Sequence, residues 1–307
     1  LQGFLTRRTW KSGGFQVDWS VPLGRAIEAI ERTDQTLVVG SKRGLALVDA
    51  QRGTLLRETV GIGSVTDVEV GDLVPEVPGL EVAARADQDI LHVESLDGGA
   101  QLSSTVVGTG GTMRFAELGG QRRLFIPLAR GHVAGFRLVK TADHGWIPEA
   151  TWLSEYLAQE LTAMVLVEIA GQQRVVAGGE GGPTLAVIDP AGKVVDRITL
   201  GTWVETLAPW AGQQLLVAGS GGVFRVDLTL PKPPSAADAT RVHPFSSDGS
   251  HVVTTDLDGD GEREAVVFQH ASTDAPAIVV RNAAREELWR RDGRWTSSAL
   301  DVSYVEG

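Results

Sequence analysis

The stretch Asp256-Leu257-Asp258-Gly259-Asp260-Gly261-Glu262-Arg263-Glu264 places carboxylates at positions 1, 3, 5 and 9 of a nine-residue loop. Its glycines supply the freedom in φ that a tight loop needs. Hard oxygen donors at alternate positions, on a chain curling around one point, are what Ca2+ requires. The opening half reads like an EF-hand loop. However, position 12 is Val267 instead of a bidentate Glu, and no helical pattern flanks it. His251-Val252-Val253-Thr254-Thr255 before the loop and Ala265-Val266-Val267-Phe268 after it are rich in β-branched residues and read as short strands. The unit is strand, carboxylate loop, strand. A merely solvated acidic turn seldom combines this spacing with both glycines, so one bound Ca2+ is expected.

Outward from this unit, a repeat of roughly 40–48 residues runs through the chain, a period that suggests propeller blades. First apolar segments start seven units, at residues 26–30, 65–70, 113–118, 161–169, 204–209, 251–257 and 299–305. Each of the first six is followed by two or three further strand-like segments. Third-to-fourth junctions such as 48–53 and 188–193 carry an Asp, small residues and Gly, which is hairpin chemistry. The expectation is an all-β chain forming a single β-propeller over 1–307, with seven four-stranded blades. The seventh start has no room for its later strands, whereas segments 3–10 and 15–21 have no start of their own. The last blade is therefore expected to combine the two ends, with the C-terminal strand innermost, which removes the exposed sheet edges.

Two stretches depart from the repeat. The spacing of Trp152, Tyr156 and Gln159 predicts a short helical turn between blades. The Pro-rich run 230–238 reads as a surface loop, because Pro cannot donate to a ladder.

Through Asp256, Asp258, Asp260 and Glu264, closed by Ala265-Val266-Val267, the first unit resembles the FG-GAP/VCBS repeat of integrin-α-like β-propellers. In that family the loop joins the first two strands of a blade and the ion is structural. The resemblance implies that Glu262 contributes its main-chain carbonyl. It covers one blade, and Glu264 stands where the family more often has Asp. The hairpin junctions resemble, more weakly, the repeats of pyrroloquinoline-quinone-type propellers. Residues 71–81 of the second unit keep Asp72 and Glu81 at the loop ends but carry Val74 and Glu76 between them, and read as a degenerate loop that holds no ion.

In an antiparallel blade the second-to-third turns lie on the face opposite the carboxylate loop. They would ring the mouth of the central channel, and their polar residues Lys42, Arg43, Asp87, Arg130, His132, Glu180 and His270 are the candidate ligand-binding set. The six His form no metal-ligand pair, and neither a Gly-x-Ser-x-Gly elbow nor a phosphate loop occurs. The eight Trp fall mostly in outer strands or blade junctions, where packing between blades is the expected role. A net charge of −11 without a basic cluster speaks against nucleic acid and anionic membrane. Nothing apolar is long enough to insert in a membrane. Cysteine is absent, which excludes disulfides and thiolate metal sites. A chain that begins at Leu1 without Met is expected to be a fragment of a longer or processed protein.

The functional expectation is a non-enzymatic binding or scaffold module that takes a protein or glycan at the channel mouth. Its expected location is extracellular, cell-surface or periplasmic, where millimolar Ca2+ suits a modest site. The alternative is a propeller enzyme such as a polysaccharide lyase or quinoprotein dehydrogenase, since such active sites draw single residues from different blades and leave no local motif.

Overall fold

A computed structural model describes residues 4–11, 14–87, 90–98, 101–106, 111–128, 130–142, 145–157, 160–179, 182–229, 241–246, 251–269 and 277–293. These residues form a hairpin of β1 (Phe4–Lys11) and β2 (Gly14–Pro22), followed by six four-stranded antiparallel sheets. The first sheet holds β3 (Ile27–Arg32), β4 (Thr36–Ser41), β5 (Gly44–Asp49) and β6 (Leu55–Val60). The second holds β7 (Asp67–Gly71), β8 (Glu81–Ala86), β9 (Ile90–Ser95) and β10 (Gln101–Val106). The third holds β11 (Arg114–Leu118), β12 (Gln121–Leu128), β13 (His132–Thr141) and β14 (Gly145–Leu153). The fourth holds β15 (Ala163–Ile169), β16 (Gln172–Gly179), β17 (Gly182–Ile188) and β18 (Val194–Thr199). The fifth holds β19 (Thr206–Pro209), β20 (Gln214–Gly219), β21 (Gly222–Asp227) and β22 (Val242–Ser246). The sixth holds β23 (His251–Thr255), β24 (Glu264–Gln269), β25 (Ala277–Arg281) and β26 (Glu287–Asp292).

Each sheet is a meander in chain order, and the first strands neighbour one another in sequence, β3 beside β7 and so on to β23. That is the expected β-propeller. Its hydrophobic cores lie between consecutive sheets: Val165, Leu185 and Ile198 meet Leu207, Leu215 and Val217, for example. Second and third strands are therefore covered on both faces and read as continuous apolar runs. β24 is buried throughout, whereas the outer strand β26 is mostly exposed.

Three expectations need correction or placement. Six four-stranded sheets stand among the described residues instead of seven, and the remaining sheet is the two-stranded hairpin. The proposed innermost strand at 299–305 lies outside the described residues, as does the Pro-rich run 230–238. The hairpin does sit between the last sheet and the first. Leu5, Leu23, Val39, Ala46 and Val48 share one core with half-buried Trp19, and Phe15 meets Trp289 edge to face at 5.0 Å. The predicted helical turn is absent from the described residues of 154–162. Instead, Glu155 N–H donates to Gly192 O, Leu157 N–H donates to Gly131 O, and the Ser154 hydroxyl accepts from Val133 N–H. Neighbouring turns take the backbone groups that a helix would have paired internally.

The seams between first strands repeat one device. Asp67 accepts from Met113 N–H, Glu69 from Phe115 N–H at 2.8 Å, and Thr206 Oγ1 from Val252 N–H at 3.0 Å. All three pairs are 46 residues apart, one blade period. A side chain at one place on a blade thus caps the free edge of the next blade, groups that would otherwise be left unpaired.

Candidate metal loop and channel mouth

β23 and β24 pair from His251 opposite Phe268 to Thr255 opposite Glu264, and so hold both ends of the carboxylate loop. Gly259 and Gly261 adopt φ of 80° and 90°, the left-handed region that non-glycine residues avoid. Those turns bring one oxygen each of Asp256, Asp258 and Asp260 within 4.8 Å of one another. Asp256 accepts from Gly259 N–H at 2.6 Å and Gly261 N–H at 2.9 Å, and Asp260 accepts from Glu262 N–H at 2.7 Å. Glu264 is buried, and its Oε2 accepts from Leu257 N–H at 2.7 Å. Burial, then Asp258, Asp260 and Asp256, push the Glu264 carboxyl above its usual range, against the opposing pull of the Leu257 bond. The donors are all hard carboxylate oxygens, a set that fits Ca2+ better than the nitrogen- and sulfur-preferring zinc and copper.

The equivalent loop of the second sheet solves the charge problem differently. Glu81 is fully buried, and its Oε2 accepts from Leu73 N–H at 2.8 Å and Val74 N–H at 3.1 Å, as Glu264 does from Leu257. Asp72 is paired with Arg122 of the next sheet. A guanidinium from a neighbour neutralises a carboxylate that the loop itself leaves uncompensated.

On the opposite face, Lys42, Arg43, Asp87 and Arg130 are exposed in their turns. Asp87 accepts from Ser64 N–H at 2.9 Å and so ties the first blade connection to a turn. His132 is half-buried, with Nδ1 donating to Ser154 O at 3.0 Å and its ring edge-on to Tyr156 at 5.9 Å. Glu180 and His270 lie outside the described residues. The cavity lined by Leu73, Leu91 and Phe115 and the cavity lined by Arg225, Phe245 and Arg285 include none of these side chains.

Two features of this region are not flagged by any sequence motif. Trp203, in the connection from β18 to β19, is 54% exposed between buried Thr202 and Val204. The backbone there is fixed: Thr202 Oγ1 accepts from Gly221 N–H at 3.0 Å, and Glu205 N–H donates to Ala218 O at 2.8 Å. Gly219 approaches so closely that a Cβ there would lie 1.7 Å from Trp203 O. Trp152 and Trp210 pack between blades as expected, but Trp203 does not.

The second feature is acidic. Asp67 and Glu69 are buried on the innermost strand β7. Burial raises both carboxyls despite Arg114 nearby; Glu69, also near Glu31, rises to about 8. Glu69 therefore holds a proton in the fold that the unfolded chain releases near 4.5. Stability falls as pH rises between those values, by at most about 1.4 kcal/mol per pH unit, and levels off above. Glu69→Gln keeps an acceptor for Phe115 N–H and removes the titration. Its melting temperature should match the parent at pH 5 and exceed it by roughly a few degrees at pH 8. Parallel melting profiles across that range would refute this.

No family model matches the sequence, and no curated protein matches it. Solved structures do match, 1196 chains in all, so the architecture is widespread and by itself selects no ligand. One is the crystal structure of BamB from Moraxella catarrhalis, with a TM-score of 0.58 and 13% identity over 98% of this chain and 93% of that chain. At that identity the likeness supports the propeller architecture alone.

Proposed function

We propose that this chain is a non-enzymatic binding scaffold acting outside the cytoplasm or in the cell envelope. It takes a protein or glycan on the face carrying the second-to-third turns, and holds one structural Ca2+ on the other face. The same reading takes the β1–β2 hairpin as the outer part of a seventh blade. The observation that carries it is Trp203, an exposed indole on an immobilised backbone beside the Ser220-Gly221 turn. A large rigid side chain binds at low conformational cost, and Trp is enriched among residues that dominate interfaces. Exposed Tyr156 of the preceding connection and the basic turn residues Lys42, Arg43 and Arg130 are displayed on the same face.

On the other face, Asp256, Asp258, Asp260 and Glu264 would hold Ca2+ through carboxylates and Glu262 through its carbonyl. The ion would neutralise the loop and lock the β23–β24 junction; it has no part in chemistry.

A photo-crosslinking amino acid at position 203, in cells of the source, should give discrete adducts with envelope or extracellular proteins or glycans. The same probe at position 262 should give none. Adducts only from 262, or turnover of glycans or quinone dyes by the purified chain, would overturn the reading. For the metal, Ca2+ at 100 times its dissociation constant should add about 2.7 kcal/mol of stability. Asp258→Ala should remove the calcium-dependent rise in melting temperature and leave melting in chelator unchanged. Mg2+ should substitute poorly, because it demands near-ideal octahedral geometry. If calorimetry finds no Ca2+ heat and melting ignores calcium, the loop is an acidic turn only.

A further inference from the structure

The seam between the fifth and sixth sheets contains a cavity of about 130 Å³ lined by Arg225, Pro244, Phe245, Ala283, Ala284 and Arg285. It is separate from the acidic loop and from the Trp203 face. Arg225 lies on β21, paired across the ladder with His243 on β22. It is half-buried, and no hydrogen bond or ion pair ties it to any described residue. Half-buried Arg57 and buried Arg241, by contrast, each meet a carboxylate, Glu94 and Asp196. The nearby carboxylates are engaged elsewhere, Glu286 with Asn282 and Glu287 with Arg281.

Arg285 comes from the other side of the seam, in the turn between β25 and β26. It stands at φ 70°, one of two non-glycine residues with positive φ among those described. Its N–H donates to Asn282 O at 2.9 Å, and Nη1 reaches across the seam to Pro244 O at 3.0 Å. One of the five guanidinium donors of this exposed side chain is thus engaged, and the rest are left for a ligand. A non-glycine residue at positive φ persists only where its surroundings hold it there.

We propose that this cavity is an oxyanion site for a phosphate group, bound between the guanidinium groups of Arg225 and Arg285. A planar carboxylate is satisfied by one guanidinium fork, whereas a tetrahedral dianion matches two cations approaching from different blades. The cavity is well below the roughly 300 Å³ of pockets for drug-sized ligands and suits a small ion or a single headgroup. No covalent step is involved. Phosphate would close the seam by bridging sheets five and six.

Titrate the full chain with inorganic phosphate, and separately with acetate, at constant ionic strength, following heat and melting temperature. Phosphate should bind in a saturable one-site isotherm and raise the melting temperature, and acetate should bind more weakly. Arg225→Gln should weaken phosphate binding about tenfold or more, the loss of a charge-assisted bond. Arg285→Gly is the control for folding. Glycine accepts φ 70° freely, so the variant should melt no more than slightly below the parent without phosphate, yet lose the phosphate-dependent rise. A non-saturating rise shared equally by parent and both variants would be general salting-out and would overturn the site. Acetate binding as tightly as phosphate would overturn the phosphate assignment.

Discussion

Glu94→Ala is expected to lower the unfolding free energy by about 3–5 kcal/mol, the cost of breaking a buried charge pair from one side. Glu94 is fully buried on β9 of the second sheet. Its Oε1 accepts from Arg57 Nη2 at 2.7 Å and Thr59 Oγ1 at 3.1 Å, both on the outer strand β6 of the first sheet. Its Oε2 lies 3.1 Å from His92 Nε2. Arg57 also donates to Leu96 O at 2.9 Å and Ser95 O at 3.3 Å. The substitution strands a guanidinium in a seam where Arg57 Nε and His92 Nδ1 already have no partner. Burial pushes the Glu94 carboxyl up, but the bonds from His92, Arg57 and Thr59 together hold it below its usual value. Its contribution is therefore present above the ordinary carboxylate range and is lost as pH falls through the depressed value. Urea midpoints at pH 7 should show the full loss, and the gap between parent and variant should narrow in acid. Arg57→Met combined with Glu94→Leu should recover much of the loss, because no charge is then left unpaired. A single-variant loss below about 1 kcal/mol would mean the pair behaves like a surface bridge.

Deleting residues 4–22 should produce a chain that aggregates instead of a smaller folded ring. The hairpin shares a core with Val39, Ala46 and Val48 of the first sheet, all fully buried. Trp19 lies over Gly53, where a Cβ would come within 2.6 Å of its ring. Phe15 reaches Trp289 on the last sheet, so one deletion bares a seam on each side. Unpaired strand edges and apolar faces are the usual start of self-association. Light scattering during size-exclusion chromatography checks the outcome. Leu5→Ala is the milder probe: a buried leucine lost from this core should cost about 2–5 kcal/mol without removing the element. A monomeric deletion variant with an unchanged urea midpoint would show that the hairpin closes nothing.

The repeat was legible because a blade's middle strands are covered on both faces. Ala265–Phe268 and Leu215–Val217 announce themselves as apolar runs, and the loop glycines at 259 and 261 sit where a left-handed turn is needed. The number of complete blades was not legible. A strand's partner is set by long-range pairing, and the hairpin's two neighbours lie at opposite ends of the chain. The mouth residues could be assigned to a face by turn counting, but exposure decided between them, and Asp87 is taken up by Ser64. Trp203 was hidden because an indole at a blade junction usually packs. What the sequence does not announce is the close approach of Gly219 to the Trp203 backbone, where a Cβ would clash. Asp67 and Glu69 did leave a signal, two carboxylates at i and i+2 in an apolar first strand. A free neighbouring edge is what makes them useful there.

That edge-capping device also fixes where the molecule breathes. The seam between the second and third sheets is closed by carboxyls whose protonation varies, and the seam between the fifth and sixth by the Thr206 hydroxyl, which does not titrate. In a closed circle every sheet is supported on two sides. Once a single seam opens, the circle becomes a linear array whose terminal members have lost one neighbour and fray first. Alkaline conditions should choose the opening point, with amides of β7 and β11 exchanging with solvent ahead of those of β19 and β23. Bases would thus unzip this circle from a defined place, while its other junctions are still intact.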